Sequence, residues 1–359
     1  MKTNTFHITR LGTIMKSSPG DPMEAGGVLN PGGTRGPNGE YYLFPRIVEA
    51  PNYSRIGVAR VIFDDGRPAG VERLGYALEP DAAFERNPRT AGCEDARVTY
   101  VSEIGRYVMV YSSYGPRGPR VAFALSEDCL GWRRIGPALF AYEEEWRADF
   151  NLFANKDAFF FPDPVPDPDG VPSLALIHRP DFDVGDGESF LTLPKGIVET
   201  RPGMWISYAP LEAVSKDSSN LVHLCKHRPL AFPEYPWEEL KIGGGTPPVR
   251  TPLGWLMVYH GVTGRLVRNL DHQPEVRYCA GVMVLDTEDP LNVVYRSEQP
   301  ILEPENEAEN AGVVNDVVFP TALDSRAQSH IDVYYGMADA RIGAARIDLP
   351  DTLPKNSRI

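Results

Sequence analysis

The chain has 359 residues, 42% of them hydrophobic, and a formal net charge of −13. That apolar content supplies a core and excludes global disorder, while the charge argues against nucleic acid or an anionic membrane as the main partner. No apolar run approaches the ~20 residues of a membrane helix, and the opening MKTNTFHITRLG lacks the apolar centre of a signal peptide, so a cytoplasmic protein is expected.

The elements point to an all-β chain. There are 34 Pro and 33 Gly, which means many turns, and 16 Tyr and 15 Phe, which favour strands. In chain order, five segments share one plan: a strand headed by a polar residue or proline, a polar turn, then an aromatic-rich strand with a polar end. They are Leu29 to Arg46, Glu94 to Ser113, Lys156 to Pro180, Gly245 to Gly261 and Asn315 to Asp339. Another strand-like run follows each: SRIGVARVIF, RVAFALS, MWISYAP, RYCAGVMVL and RIGAARID. Only PDAAFER and the stretch from Asn306 to Ala311 read as helical.

Recurrence at intervals of roughly 60 to 90 residues predicts propeller blades, with a pair of β-sandwiches as the plainer alternative. The expected domain is a single five-bladed β-propeller over residues 1–359, with short extensions at both ends. An antiparallel hairpin begins and ends at one edge, so heads and tails of the segments converge on one rim. The expected heads are Asn30, Asp95, Asp157, Thr246 and Asp316; the tails are Arg46, Ser112, Arg179, His260 and Asp339.

Within GCEDARVTYV, Glu94 and Asp95 stand side by side. Paired carboxylates fit acid–base chemistry, but strand neighbours alternate faces, so only one is expected in a given site. The plain alternative for Asp95 is an ion pair with Arg97. Cys93, Cys129, Cys225 and Cys279 form no CxxC pair, so they read as reduced thiols rather than zinc ligands, and no metal is expected. Gly243 to Gly245 lacks the GxxxxGK[ST] spacing of a nucleotide loop.

The ordered segments GCEDARV, NKDAFFFP, HRPDFD, RPGMWISY, KIGGGTPPV, GWLMVYHGV, NDVVFPTA and YYGMAD resemble glycoside hydrolase family 130. The resemblance covers roughly Asn30 to Asp339 and implies a five-bladed β-propeller acting on short β-linked mannosides. Most members of that family cleave with inorganic phosphate and inversion to give α-mannose 1-phosphate; some hydrolyse. No cofactor is implied beyond phosphate as co-substrate, and a homo-oligomer is compatible with a family whose members assemble variously.

The same resemblance makes Asp95 the catalytic acid, acting through a sugar hydroxyl. Arg179, Lys241, His260 and Lys156 are the implied phosphate ligands. Asn30, Arg46, Ser54 and Arg55 are the implied mannose contacts, joined by Glu94, Asp157, Asp316 and Asp339. Two departures stand out. Lys156-Asp157 replaces an Arg-Asn pair found in some phosphorylases, and Asp316-Val317 replaces the commoner Asn-Val.

An inverting hydrolase needs a second carboxylate to activate water. A phosphorylase instead needs cations around phosphate, so the basic residues on the rim decide between the two. Glu303 and Glu305 are base candidates for the hydrolytic alternative, although an acidic loop is the plainer reading. Trp205 is placed either against a second sugar or in the blade core, and the insertion from Pro180 to Arg201 is expected over the channel. A non-catalytic sugar-binding propeller is the remaining reading.

Overall fold

The structure is a computed structural model describing residues 5–87, 91–185, 190–265, 267, 273, 275–326 and 329–355. The alternating runs become antiparallel strands grouped in units along the chain. β1 (His7–Lys16) comes first but belongs to the last unit. The first unit holds β2 (Gly27–Arg35), β3 (Tyr41–Glu49), β4 (Tyr53–Asp64) and β5 (Arg67–Leu78). The second holds β6 (Ala91–Val101), β7 (Arg106–Gly115), β8 (Gly118–Ser126) and β9 (Arg133–Pro137). A short parallel contact of Tyr53 and Ser54 with Ala91 and Gly92 joins these two units into one sheet.

The third unit adds β10 (Leu139–Phe140), β11 (Ala154–Phe160), β12 (Val165–Pro166), β13 (Pro172–Asp181), β14 (Met204–Pro210) and β15 (His223–Ala231). The fourth holds β16 (Lys241–Gly244), β17 (Val249–Thr251), β18 (Gly254–Arg265), β19 (Glu275–Leu285) and β20 (Val293–Arg296). The fifth holds β21 (Val318–Asp324), β22 (His330–Met337) and β23 (Arg341–Asp348), and β1 completes it by pairing with β23. PDAAFER contributes only a 3-10 turn, Ala83–Glu85, and the later helical stretch gives α2 (Glu307–Asn310). A helix the sequence reading did not anticipate, α1 (Leu211–Lys216), precedes both β15 and α2 in the chain.

The core lies between units rather than inside one. Phe44 and Ile56 meet Val98 and Met109; Val110 and Phe123 meet Phe160 and Leu176. Ile177 and Ile206 meet Trp255 and Met257; Val258 and Val282 meet Val318 and Val333. Leu43 and Val61 then meet Tyr334 and Ala344, so the fifth unit packs on the first. Inner strands are neighbours too: β2 with β6 and β21, and β11 with β6 and β16.

A buried polar staple recurs at the outer side of the units. Glu85 accepts from Tyr111 Oη (2.6 Å) and Arg134 Nε (2.7 Å). Glu238 accepts from Tyr259 Oη (2.6 Å) and Arg296 Nη2 (2.6 Å), and Glu309 from Tyr335 Oη (2.9 Å) and Arg10 Nε (2.9 Å). In the first unit Arg73 grips both oxygens of Glu24, at 2.8 and 2.9 Å. The glutamate leads into the unit, the tyrosine lies on its second strand and the arginine on its outer strand. A buried carboxylate is tolerated because donors surround it.

Candidate active site

One register feature shapes the site. Asn30, Asp95, Asp157 and Asp316 all adopt left-handed backbone, with φ of 43°, 48°, 55° and 59°. Asn and Asp tolerate this conformation best among residues with a side chain. The pairing of β6 with β7 skips between Glu94 and Arg97, a bulge centred on Asp95; β2 skips at Asn30 and β11 at Asp157. A bulge re-aims side chains, and here it overturns the expectation that only one of Glu94 and Asp95 faces the site: both line the same cavity of about 340 Å³.

Arg46 clamps the two carboxylates, with Nη2 at 2.8 Å from Glu94 Oε1 and Nη1 at 3.4 Å from Asp95 Oδ1. Asn30 Nδ2 donates to the same Asp95 oxygen at 3.0 Å. Arg46 is held in turn by Ser54 Oγ (2.9 Å) and Asn52 Oδ1 (3.3 Å). Burial pushes the Glu94 carboxyl up, Arg46 pulls it back, and neighbouring Asp95 pushes it up again; the net direction is upward. Arg97 does not pair with the Asp95 carboxylate. It donates to the Asp95 carbonyl (2.8 Å) and to the carbonyls of Gly245 (3.0 Å) and Gly244 (3.2 Å), fixing the bulge against the fourth unit.

A cationic region shares the cavity. Lys156 and Lys241 line it, the latter with Nζ 5.5 Å from the centre of the Tyr278 ring. Beneath them Arg179 Nε donates to Asp157 Oδ2 at 2.7 Å, and both side chains are buried. Burial works to raise the Asp157 pKa, but the charges around it, Arg179 foremost, hold it well below the usual carboxylate range. Burial lowers the Lys241 ammonium and Arg179 lowers it further, to about 8.

His260 is buried, and that burial keeps its imidazole neutral, well below the ordinary histidine value. Its Nε2 faces Asp157 Oδ2 at 3.6 Å, and among the described residues Nδ1 has no partner. A Cβ on Gly243 would lie 2.5 Å from both Asp157 Oδ2 and His260 Cε1, so the glycine run admits this cluster to the floor.

The predicted residues divide by position. Asn30, Arg46, Glu94, Asp95, Lys156, Lys241 and Asp339 line the cavity; Ser54, Asp157, Arg179 and His260 support it from behind. Arg55 lies elsewhere, pairing with Glu49 (2.9 Å) and Glu79 (3.2 Å). Asp316 is exposed and outside the lining, and it is the Asp316 carbonyl that binds, accepting from the Tyr278 amide at 2.9 Å. In the fourth unit His260 pairs with Gly243, not Thr246, because the inner strand begins at Lys241.

Trp205 lies in the third unit's core against Trp146 and Phe150. Glu303 and Glu305 pair with Arg277 and Arg10, away from the cavity. The described part of the insertion sends Phe182, Leu193 and Ile197 into the third unit's core and none of it lines the cavity; residues 186–189 of that segment lie outside the described residues.

Tyr278, Phe319, Tyr114 and Asn52 line the site without having been singled out. Tyr278 lies near the start of β19, and only its alternation opposite Cys279 hinted at a cavity-facing ring. Burial pushes its phenol up to about 12, and its ring forms an aromatic wall beside Lys241.

A family model described as beta-1,4-mannooligosaccharide phosphorylase, glycoside hydrolase family 130, matches residues 38–354. The chain belongs to glycoside hydrolase family 130. Two curated relatives in the family come from Thermoanaerobacter sp. A 1,2-beta-oligomannan phosphorylase is 29% identical over 78% of this chain and 80% of its own length. A beta-1,2-mannobiose phosphorylase is 30% identical over 77% and 78%. The solved beta-1,2-mannobiose phosphorylase of Listeria innocua shares the fold, with a TM-score of 0.66 at 23% identity, over 95% of this chain and 96% of that one. Among the described residues no helix is long and apolar enough to cross a membrane, and no group of His, Cys, Asp and Glu is arranged for a metal.

Proposed function

We propose that this family member is an inverting phosphorylase that cleaves short β-linked mannosides with inorganic phosphate to α-mannose 1-phosphate. The observation that carries this reading is that Lys156 and Lys241 line the same cavity as Asp95, while the nearby acid Asp157 is already neutralised by Arg179. A dianion fits two lysines over a buried ion pair, and positioned cations supply the orientation and charge stabilisation that phosphoryl nucleophiles need. The paired Asp157 is unsuited to activating water, which speaks against hydrolysis.

In this reading Asn30 and Arg46 orient the non-reducing mannose beside Asp95. Phosphate oxygen attacks C1 as the bond from C1 to the leaving oxygen breaks, and Asp95 supplies the proton that the leaving oxygen takes up. Tyr278 and neutral His260 complete the phosphate end, with Lys156 between the two ends, acting on both Glu94 and Asp157. We also read the units as the blades of one closed five-bladed propeller, a reading supported by the packing of the fifth unit on the first and by the recurring staple.

The test is incubation with β-1,2- and β-1,4-mannobiose, with and without phosphate. Mannose 1-phosphate formed only with phosphate is the expected result; free mannose released at the same rate without phosphate overturns the proposal. The linkage preferred in that assay names the substrate.

A further inference from the structure

The third unit breaks the staple pattern. His178 stands on its second strand where Tyr111, Tyr259 and Tyr335 stand in other units, and His227 stands on its outer strand in place of the arginine. Ser207 lies between them, where Ala59, Ala124 and Ala345 face the arginines of the first, second and fifth units.

The direction of this row follows from one carbonyl. His227 Nε2 is 2.9 Å from the Ala141 oxygen, which only accepts, so Nε2 carries the hydrogen. A neutral ring then accepts at Nδ1 from Ser207 Oγ, at 2.8 Å. Ser207 Oγ accepts from His178 Nε2 at 2.8 Å, and His178 Nδ1 accepts from Asn155 Nδ2 at 2.9 Å. All four side chains are buried, and each link holds one hydrogen.

The surroundings leave no room for another. Phe140 and Phe150 pack on both imidazoles. The charged groups facing the row are Glu143, 3.9 Å from His227 Nε2, and Arg228, which sits 3.7 Å from Glu143 and donates to the His227 carbonyl. Burial lowers the pKa of both histidines, so the row is neutral in the folded chain.

Asn155 immediately precedes Lys156, and His178 precedes Arg179. Lys156 and Arg179 are register partners on β11 and β13, at the point where the bulge at Asp157 interrupts the backbone ladder. The side-chain link from Asn155 to His178 ties the two strands there. We propose that Asn155, His178, Ser207 and His227 are positioning residues that set Lys156 and Arg179, so that breaking the row loosens the phosphate end of the cavity alone. The mannoside end is built from the first and second units, which carry no such row. The proposal rests on the phosphate reading given above.

The test compares wild type with Ser207→Ala in the full chain, measuring KM for phosphate and for mannobiose at about pH 7.5 and about pH 5.5. Alanine at this place in other units predicts that the variant folds. The expected result at the higher pH is a phosphate KM raised about fivefold or more, with mannobiose KM unchanged within about twofold. At about pH 5.5 the ratio of the variant's phosphate KM to the wild type's stays the same, since burial holds both imidazoles neutral; taking the ratio at one pH cancels phosphate's own titration.

An unchanged phosphate KM, or both KM values rising together, overturns the proposal. If Ser207→Ala melts early, His178→Gln, whose amide still offers Ser207 a donor, gives the same reading. Wild-type cleavage that ignores phosphate overturns the functional reading instead, and this proposal with it.

Discussion

Asp95 owes its place to its backbone. A left-handed residue at a bulge within β6 lets two consecutive carboxylates reach one guanidinium, Arg46, which ordinary strand alternation forbids. Replacing Asp95 with Asn keeps that geometry and removes the proton donor, so mannose 1-phosphate formation falls about 10²- to 10⁴-fold with the fold intact; an undiminished rate in the same assay refutes the assignment. Lys241 makes a pH prediction. Its ammonium, depressed to about 8 by burial and Arg179, loses its proton as pH rises through that value, so phosphate KM climbs on the alkaline side. Lys241→Met binds phosphate weakly at every pH and lacks this alkaline limb, as phosphate titrations of initial rate will register.

The residues lining the site were legible where they recur in quoted segments. Strand alternation turned Glu94 away from Asp95 in the sequence, since a bulge leaves no mark in a period-2 pattern. Tyr278 was missed because it lies on β19, outside the five hairpin segments whose ends were expected to form the rim.

At the scale of elements, hairpins were visible because aromatic, β-branched strands are punctuated by Pro and Gly. The inner strand of the fourth unit was misplaced because KIGG has almost no strand propensity; its form comes from pairing with β18 and from the room that Gly243 leaves. The staples were not legible at all, since each joins residues far apart in sequence, such as Glu309 and Arg10. They are nevertheless testable. Tyr259→Phe removes a hydroxyl that donates to buried Glu238, and the expected loss is about 1–2 kcal/mol of stability in a denaturant titration, with activity retained. A variant as stable as wild type shows the staple to be dispensable.

The whole molecule depends on its first strand. β1 is the outer strand of the last unit, paired along β23 from His7 with Asp348 to Lys16 with Arg341, and Arg10 carries that unit's staple. Removing residues 1–16 takes away that pairing and leaves buried Glu309 without its guanidinium, a loss of several kcal/mol on general grounds. The expected outcome is early, broadened melting by calorimetry; a truncated chain that melts as sharply and as hot as the intact one contradicts it. The all-β character and the recurring hairpins were readable from the sequence, but this pairing was not, because HITRLGTIMK resembles any edge strand.

That pairing also sets a timetable for synthesis. β1 has its partner at Arg341–Asp348, which follows every other described strand in the chain. Earlier units can pair within themselves as they emerge, but β1 must wait with an open edge until β23 has emerged. The fifth unit is therefore completed only after the other units have emerged, and during the wait β1 is the strand most in need of protection from other nascent chains.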